Sequence, residues 1–228
     1  MNAGEASKDF SKDYLREMLV HQRRFLWYPD SLDKFAVWLN LKPGMTVVDA
    51  GCGLCYLGYT YWPYFGQGGT YIGLDHSDEL VSDAREASKE WGDDGRLEFI
   101  CGSVYDIPLP DNHADAVMCQ TLLMHLEFPD KAMEEMIRVA RPGGSVICME
   151  PDNLSSSLAK PFHSLPEFDL EDVLLFTKVI LICRKGRLAQ GRGDFNMGSR
   201  VPHLMTQSGL VEVDLRMNDR VFYLEPPY

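Results

Sequence analysis

The sequence predicts an α/β protein in which parallel strands are joined by crossover helices, and three observations support this fold class. From residue 46 onward, short apolar segments typical of buried strands alternate with amphipathic segments of helical period. Glycines and acids follow the first two of these strands, at the edge where open α/β sheets bind ligands. The chain has 228 residues, enough for one sizeable core but not for two full domains.

Five strands are predicted in the central part of the chain, each short and apolar. They are residues 45–50, 70–74, 97–101, 114–119 and 145–149. A helix is expected over residues 54–64, ended or kinked by Pro63. Ser77 is expected to cap the next helix, and Pro129 to begin the last helix between strands. Residues 141–144, with the sequence Arg-Pro-Gly-Gly, are predicted to turn that helix into the fifth strand.

This alternation predicts four regions. Residues 1–41 form an N-terminal helical cap region, 42–150 the ligand-binding core, 151–198 a helical insertion that serves as a lid, and 199–228 a C-terminal helix with the last strands. The insertion is expected to be helical over 170–183, and the last strands to lie at 211–217 and 221–224.

Composition limits the classes of function. The formal net charge is −12, from 34 acidic and 22 basic residues, which opposes binding to nucleic acid or to an anionic membrane. The first residues lack an apolar signal segment, and no later stretch is apolar for long enough to span a bilayer. We therefore expect a cytoplasmic protein without nucleic-acid or membrane partners; the oligomeric state is left open.

The six cysteines lie mostly in strand-like apolar runs, which favours reduced, buried thiols. Cys52 and Cys55 form a C-x-x-C pair after a strand, and a redox role for this pair is the alternative to a place in a ligand-binding loop. No second pair of ligands with zinc-site spacing is present, so we expect no metal site.

The segment 47–55 contains a buried strand, an acid and two glycines immediately before a helix. Gly51 and Gly53 allow a sharp turn and a close approach of the backbone to a ligand, and the helix start offers free N–H groups. Asp49 would repel a pyrophosphate, whereas it can accept a hydrogen bond from an ammonium group. The dinucleotide pattern G-x-G-x-x-G also fails, because its last glycine falls on Tyr56.

This segment resembles motif I of the class I, Rossmann-like S-adenosylmethionine-dependent methyltransferases, which reads acid-x-G-x-G-x-G, with Cys55 in place of the third glycine. The resemblance extends over about residues 42–149. It implies a doubly wound sheet of seven mostly parallel strands with the last antiparallel, and S-adenosyl-L-methionine as the cofactor. It also implies that Asp49, Gly51, Cys52 and Gly53 bind that cofactor.

Other positions within the resemblance imply further cofactor contacts. Asp75 falls where the family's acid binds both ribose hydroxyls, although an acid is expected there in dinucleotide binders as well. His76 either lines the adenine pocket or faces solvent. Ser103 and Val104 stand in the loop that holds the adenine, and Gln120 is expected to contact the methionine part.

Methyl transfer from a sulfonium is an in-line displacement, in which positioning and exclusion of water dominate. A general base is needed only where the acceptor starts protonated, and His125 is the central candidate, with a packed helix-start histidine as its alternative. Tyr14 and Tyr28 either form an aromatic wall for the substrate or pack on the sheet. Arg184 and Arg187 either bind an anionic small substrate or form a solvated face.

We therefore predict an enzyme that transfers a methyl group to a small molecule, with an anionic acceptor as one alternative. The first alternative is a NAD(P)-dependent oxidoreductase, which Asp49 and the missing third glycine of its motif disfavour. The second is a non-catalytic protein that keeps the cofactor pocket, an option left open by Cys55 and Ser103.

Overall fold

A computed structural model describes residues 29–92, 95–155 and 169–216. The predicted α/β class is confirmed, with a single sheet of five parallel strands. The strands are β1 (Thr46–Ala50), β2 (Thr70–Asp75), β3 (Arg96–Cys101), β4 (Ala114–Gln120) and β5 (Ala140–Met149). Their order across the sheet is β3-β2-β1-β4-β5.

In the described chain one helix precedes β1, three connect strands, and others follow β5. They are α1 (Pro29–Trp38), α2 (Tyr56–Phe65), α3 (Asp78–Ala87), α4 (Pro129–Val139), α5 (Leu170–Ala189) and α6 (Val201–Gln207). Ser77 caps α3 as predicted, with its Oγ accepting a hydrogen bond from the Leu80 amide at 3.3 Å. α2 continues through Pro63 and ends two residues later.

The two faces of the sheet pack into separate apolar clusters, because successive side chains of a strand point to opposite faces. Val48 and Ile72 pack with Met133 of α4 and Met205 of α6. On the other face, Val47 belongs to a cluster with helices α1 and α2. Both faces are covered, which is why the central strands are continuous apolar runs.

The turn predicted at residues 141–144 is instead part of β5. The strand begins at Ala140, and its pairing with β4 is irregular between Ala114 and Ala116. Arg141 forms an ion pair with Asp115 at 2.6 Å. A glycine pair predicts a turn from local propensity, whereas pairing with the neighbouring strand decides the conformation here.

The described part of the chain has five strands, fewer than the seven predicted. Residues 211–216 contain no strand, so the strand expected at 211–217 is wrong over the residues that the structure describes. The strand expected at 221–224, and most of the N-terminal cap, lie outside the described residues. Within the described ranges, no helix has both the length and the apolar character needed to cross a membrane.

Candidate functional site

The candidate site lies at the carboxyl edge of the sheet, where the chain leaves β1 and β4 in opposite directions. These two strands are neighbours, and β2 follows β1 on one side while β5 follows β4 on the other. The register places Asp49 beside Gly73 of β2 and Met118 of β4. The edge is thus the topological switch point, at which open parallel sheets bind their ligands.

Asp49 is a buried carboxylate, with 1% of its surface exposed. The hydroxyl of Tyr71 in β2 donates a hydrogen bond to its Oδ2 at 2.9 Å. Burial, and then the neighbouring charge of Asp49, raise the pKa of Tyr71 well above its ordinary value, so the phenol remains a donor. Tyr71 was not predicted as a site residue, although a tyrosine within a buried strand needs a partner for its hydroxyl.

Gly51 and Gly53 follow β1 with left-handed backbone angles, φ 69° and φ 53°. A Cβ on Gly51 would lie 2.6 Å from the Cδ1 atom of Leu122, so this glycine lets the loop pack against the loop after β4. A Cβ on Gly53 would meet no atom within 4 Å. Gly53 therefore borders open space, as expected of a backbone that a ligand approaches closely.

Asp75, at the end of β2, ties this loop to the sheet. Its Oδ2 accepts a hydrogen bond from the Gly53 amide at 2.9 Å, and its Oδ1 accepts from the Ser77 amide at 3.0 Å. Nδ1 of His76 lies 3.2 Å from the same Oδ1. A carboxylate has about four lone-pair sites, so these three contacts leave Asp75 capacity for about one further donor such as a hydroxyl group.

The charge of Asp75 is stabilised despite its burial. Burial alone would raise the pKa of this carboxyl, but the hydrogen bonds from His76, Ser77 and Gly53 outweigh it and hold the pKa below its ordinary value. The hydrogen bond to Asp75 in turn raises the pKa of His76. The His76 side chain is 86% exposed, which places it on the rim rather than inside the edge.

The structure explains Cys55, the departure from the motif. Its backbone is left-handed, φ 52°, which is the conformation that favours glycine at this position. Its thiol is buried and contacts the Ala84 carbonyl at 3.5 Å. Burial, and then Asp49, raise the pKa of Cys55 to about 12, and burial raises that of Cys52 as well. Reactive thiols have lowered pKa values, so this environment does not favour the redox alternative.

The loop after β3 brings Ser103 and Val104 to the same edge. Ser103 Oγ accepts a hydrogen bond from the Tyr105 amide at 3.1 Å, so the hydroxyl already stabilises the turn. The Val104 side chain is buried in the core, which leaves only its backbone for a ligand.

Glu150 shapes the loop after β4. Its Oε1 accepts hydrogen bonds from the amides of Leu122 and Leu123, both at 2.8 Å, and its Oε2 accepts from the Met124 amide at 3.2 Å. These N–H groups begin the 3-10 turn Leu123–His125, where no intrahelical acceptor is available. Sequence reasoning missed Glu150; its signal was an acid at the end of the fifth strand.

Of the two polar residues predicted in this loop, one precedes that turn and the other ends it. Gln120 ends β4 and is partly exposed at the edge, next to Thr121 with φ 50°. His125 ends the turn and is exposed. Its role as a general base stays a prediction.

The insertion is held by an arginine–aspartate cluster. Asp194 is 3% exposed and accepts a bidentate pair of hydrogen bonds from Arg184, at 2.8 and 2.7 Å, and another from Arg200 at 2.8 Å. The hydrogen bond from Arg184 and its companions lower the pKa of Asp194 well below its ordinary value. Arg187 donates to the Arg192 carbonyl and lies over the Phe195 ring, 3.9 Å from its centroid.

Arg184 and Arg187 therefore have partners within the protein, and these contacts favour a structural role. Gly193, in the same segment, packs against the backbone of Met124, which connects the insertion to the loop after β4. Tyr14 and Tyr28, the predicted aromatic wall, lie outside the described residues. Among the residues that are described, no group of three or more histidine, cysteine or acidic side chains is arranged to hold a metal ion.

Comparison with known proteins agrees with this geometry. Residues 48–148 match the sequence family described as "Methyltransferase domain". An uncharacterized methyltransferase of Schizosaccharomyces pombe is 36% identical over 48% of this chain and 41% of the relative. A demethylmenaquinone methyltransferase of Desulfitobacterium hafniense is 31% identical over 64% of this chain and 54% of the relative. The chain thus spans about half the length of these curated relatives.

Solved structures show the same fold. A chain in the complex between the Haloferax volcanii Trm112 methyltransferase activator and the putative methyltransferase is 27% identical, with a TM-score of 0.53 over 68% of this chain and 65% of that chain. A SAM-dependent methyltransferase from Aquifex aeolicus is 22% identical, with a TM-score of 0.53 over 83% and 87% of the two chains. The latter similarity concerns the fold alone.

The resemblance predicted from the sequence is confirmed. Over residues 48–148 the chain is similar to methyltransferase domains. The matched segment contains the glycine loop, Asp75 and the loop after β4, which together form the candidate site.

Proposed function

We propose that this protein is an S-adenosylmethionine-dependent methyltransferase that acts on a small molecule. The observation that carries the proposal is the pair of acids at the sheet edge: the buried Asp49, which would repel a pyrophosphate, and Asp75, which accepts a hydrogen bond from the Gly53 amide and keeps a lone pair for a ligand hydroxyl. The similarity to methyltransferase domains over residues 48–148 supports the same activity.

The residues present fit the cofactor. Asp75 would accept both ribose hydroxyls once the exposed His76 side chain turns away from its Oδ1, and Asp49, directly or through water, would accept from the ammonium group. Gly53 offers a backbone that no Cβ obstructs. Cys52 and Gly51 would complete the loop around the methionine part, and Gln120 would contact the same part from the end of the neighbouring strand, β4. Ser103, Val104 and His76 would surround the adenine.

When bound, S-adenosylmethionine supplies a methyl group on a positively charged sulfur. The residues of this chain would then orient the acceptor and exclude water, since an in-line displacement needs little covalent help. Glu150 would contribute by fixing the loop 121–125 at one side of the site. His125 would take a proton only from an acceptor that begins protonated.

We propose a small organic acceptor, in keeping with the D. hafniense relative that is named a demethylmenaquinone methyltransferase. The alternative prediction is an anionic acceptor bound by Arg184 and Arg187, with Tyr14 and Tyr28 as the wall of the pocket. The contacts of Arg184 with Asp194 and of Arg187 with Phe195 favour the uncharged acceptor. A complete sheet of seven strands and a cytoplasmic location also stay predictions from the sequence.

Isothermal titration calorimetry tests the proposal. S-adenosylhomocysteine should bind with a Kd of about micromolar size, and NADH should not bind. The reverse result would support the oxidoreductase instead. Turnover with quinol-like and carboxylate-bearing acceptors would then distinguish an enzyme from a protein that only binds the cofactor.

A further inference from the structure

Thr121 has a backbone conformation that its side chain disfavours. Its φ is 50°, in the left-handed region. Among the described residues other than glycine, five have a positive φ, and Thr121 is the only one of them that is branched at Cβ. Two of the others are asparagines, whose short polar side chains tolerate this conformation. For a β-branched residue it is a genuine outlier, so contacts around Thr121 must offset the strain.

Thr121 lies where β4 leaves the sheet, between two residues that border the candidate site. Gln120 before it ends β4 at the carboxyl edge. Leu122 after it packs against the loop after β1, since a Cβ on Gly51 would lie 2.6 Å from the Leu122 Cδ1. Strained backbone that persists in folded proteins clusters at functional sites. The place of this outlier therefore indicates a function in the site.

The left-handed turn at Thr121 directs the amides that follow it to one carboxylate. The Thr121 amide donates to the Met149 carbonyl at 2.9 Å, which continues the pairing between β4 and β5. The next three amides, those of residues 122–124, donate to Glu150. Leu122 is right-handed, and a left-handed residue beside a right-handed one forms a concavity of N–H groups around an anion. Thr121 is therefore the residue at which the chain changes from strand pairing to contact with Glu150.

Conformation alone does not explain why this residue is a threonine. Glycine adopts a φ of this value without strain, because it has no Cβ. Thr121 differs from glycine by a hydroxyl that donates a hydrogen bond to the Gln120 carbonyl at 2.7 Å. That carbonyl belongs to the peptide that joins Gln120 to Thr121, so the contact restricts rotation at this point. Glycine would leave the same turn freer.

We propose that Thr121 is a positioning residue for the cofactor, and that its strained conformation is retained for this function. Its hydroxyl fixes the orientation of Gln120, which would contact the methionine part. Its backbone fixes the loop 122–124, which packs against Gly51. Thr121 acts through these neighbours and takes no part in the transfer of the methyl group. This inference rests on the proposed function, because its readout is the affinity for S-adenosylhomocysteine.

Calorimetry with S-adenosylhomocysteine, together with thermal unfolding of the full chain, separates positioning from stability. Thr121→Gly relieves strain and loses the hydroxyl, so its Tm should stay within about 3 °C of the wild type while its Kd rises about fivefold or more. Thr121→Ser keeps the hydroxyl and should bind within about twofold of the wild type. Thr121→Val keeps the shape without the hydroxyl, so its Kd should rise about as much as that of Thr121→Gly.

Glu212→Gly is the matched control, because Glu212 is exposed, has a φ of 55° and is outside the residues of the candidate site. Its strain is relieved in the same way, so its Tm should not fall and its Kd should equal that of the wild type.

Wild-type affinity in Thr121→Gly or in Thr121→Val overturns the inference and leaves the proposed function standing. Affinity losses that only follow losses in Tm across the series overturn it too, because Thr121 would then be merely structural. A wild type that does not bind S-adenosylhomocysteine refutes the proposed function and this inference together. Circular dichroism on every variant confirms that the chain has folded.

Discussion

At the scale of single residues, side-chain identity in the site follows from backbone conformation and from pairing. The sequence predicted Asp49, Gly51, Gly53 and Asp75 at one edge, because acids and glycines after parallel strands meet there. It could not predict the partner of Asp49, since Tyr71 reaches that carboxylate only through the register of β1 and β2. Such a contact depends on pairing between strands, which local pattern does not encode.

Cys55 should tolerate glycine and reject a β-branched residue. Its φ of 52° favours glycine, so Cys55→Gly relieves backbone strain while it removes a buried thiol, and the two effects should cancel to within about 1 kcal/mol. Cys55→Val should cost at least about 2 kcal/mol. Urea unfolding measures both. Equal losses of unfolding free energy in the two variants would show that backbone conformation does not decide which residues this position accepts.

Tyr71→Phe should leave Asp49 without the hydroxyl that donates to its Oδ2. The loss of a hydrogen bond to a buried charged group should lower the free energy of unfolding by about 1.5–3 kcal/mol. Affinity for S-adenosylhomocysteine should fall as well, because the carboxylate is less firmly oriented. Tyr64→Phe is the matched control: Tyr64 donates to Asp33 on the exposed side of α1. Similar losses in the two variants would contradict a special role for Tyr71.

At the scale of elements, the alternation of strands and helices was predictable because each element has its own apolar period. The residues at which elements begin and end were less predictable. β5 begins at Ala140 instead of after the glycine pair, because pairing with β4 overrides turn propensity. The segment 211–216 has strand-like composition and yet contains no strand among the described residues. β-propensity becomes a strand only where a neighbouring strand supplies hydrogen bonds.

Glu150 connects two elements, and its removal should affect the site more than the fold. Glu150→Gln keeps the shape of the side chain but loses the charge and one acceptor, while three amides in the loop after β4 need acceptors. The variant should lose about 1–2 kcal/mol of stability and bind S-adenosylhomocysteine several-fold more weakly.

Glu134→Gln, on the exposed face of α4, is the control for Glu150→Gln and should match the wild type. Urea unfolding and calorimetry measure the two quantities. Unchanged affinity in Glu150→Gln would show that the loop 121–125 holds its conformation without this carboxylate.

At the scale of the whole molecule, the Asp194 cluster joins α5, through Arg184, to Arg200 at the start of α6. Arg184→Ala removes the bidentate partner of a buried carboxylate, so it should lower the free energy of unfolding by about 2–3 kcal/mol, with Arg200 compensating in part. Arg96→Ala, at a side chain that is 75% exposed, should cost less than about 1 kcal/mol. A raised KM with unchanged stability would instead support the anionic-substrate prediction.

The stabilisation that the Asp194 cluster contributes should decrease in acid. Pairing lowers the pKa of Asp194 in the folded state, so its stabilisation is complete above the unfolded pKa of about 4. This stabilisation is lost as the pH falls through the lowered pKa of Asp194 in the folded state. The difference in free energy of unfolding between the wild type and Arg184→Ala, measured with urea, should therefore be constant through the neutral range. It should become smaller in strong acid.

Titration of S-adenosylhomocysteine into the wild type, Asp75→Asn and the surface variant Asp130→Asn tests the central claim most directly. An asparagine offers one acceptor where the Gly53 and Ser77 amides and two ribose hydroxyls need several, so Asp75→Asn should bind at least tenfold more weakly. The wild type and Asp130→Asn should bind with equal, about micromolar, affinity, and none should bind NADH. Binding of NADH by the wild type without binding of S-adenosylhomocysteine would contradict the account.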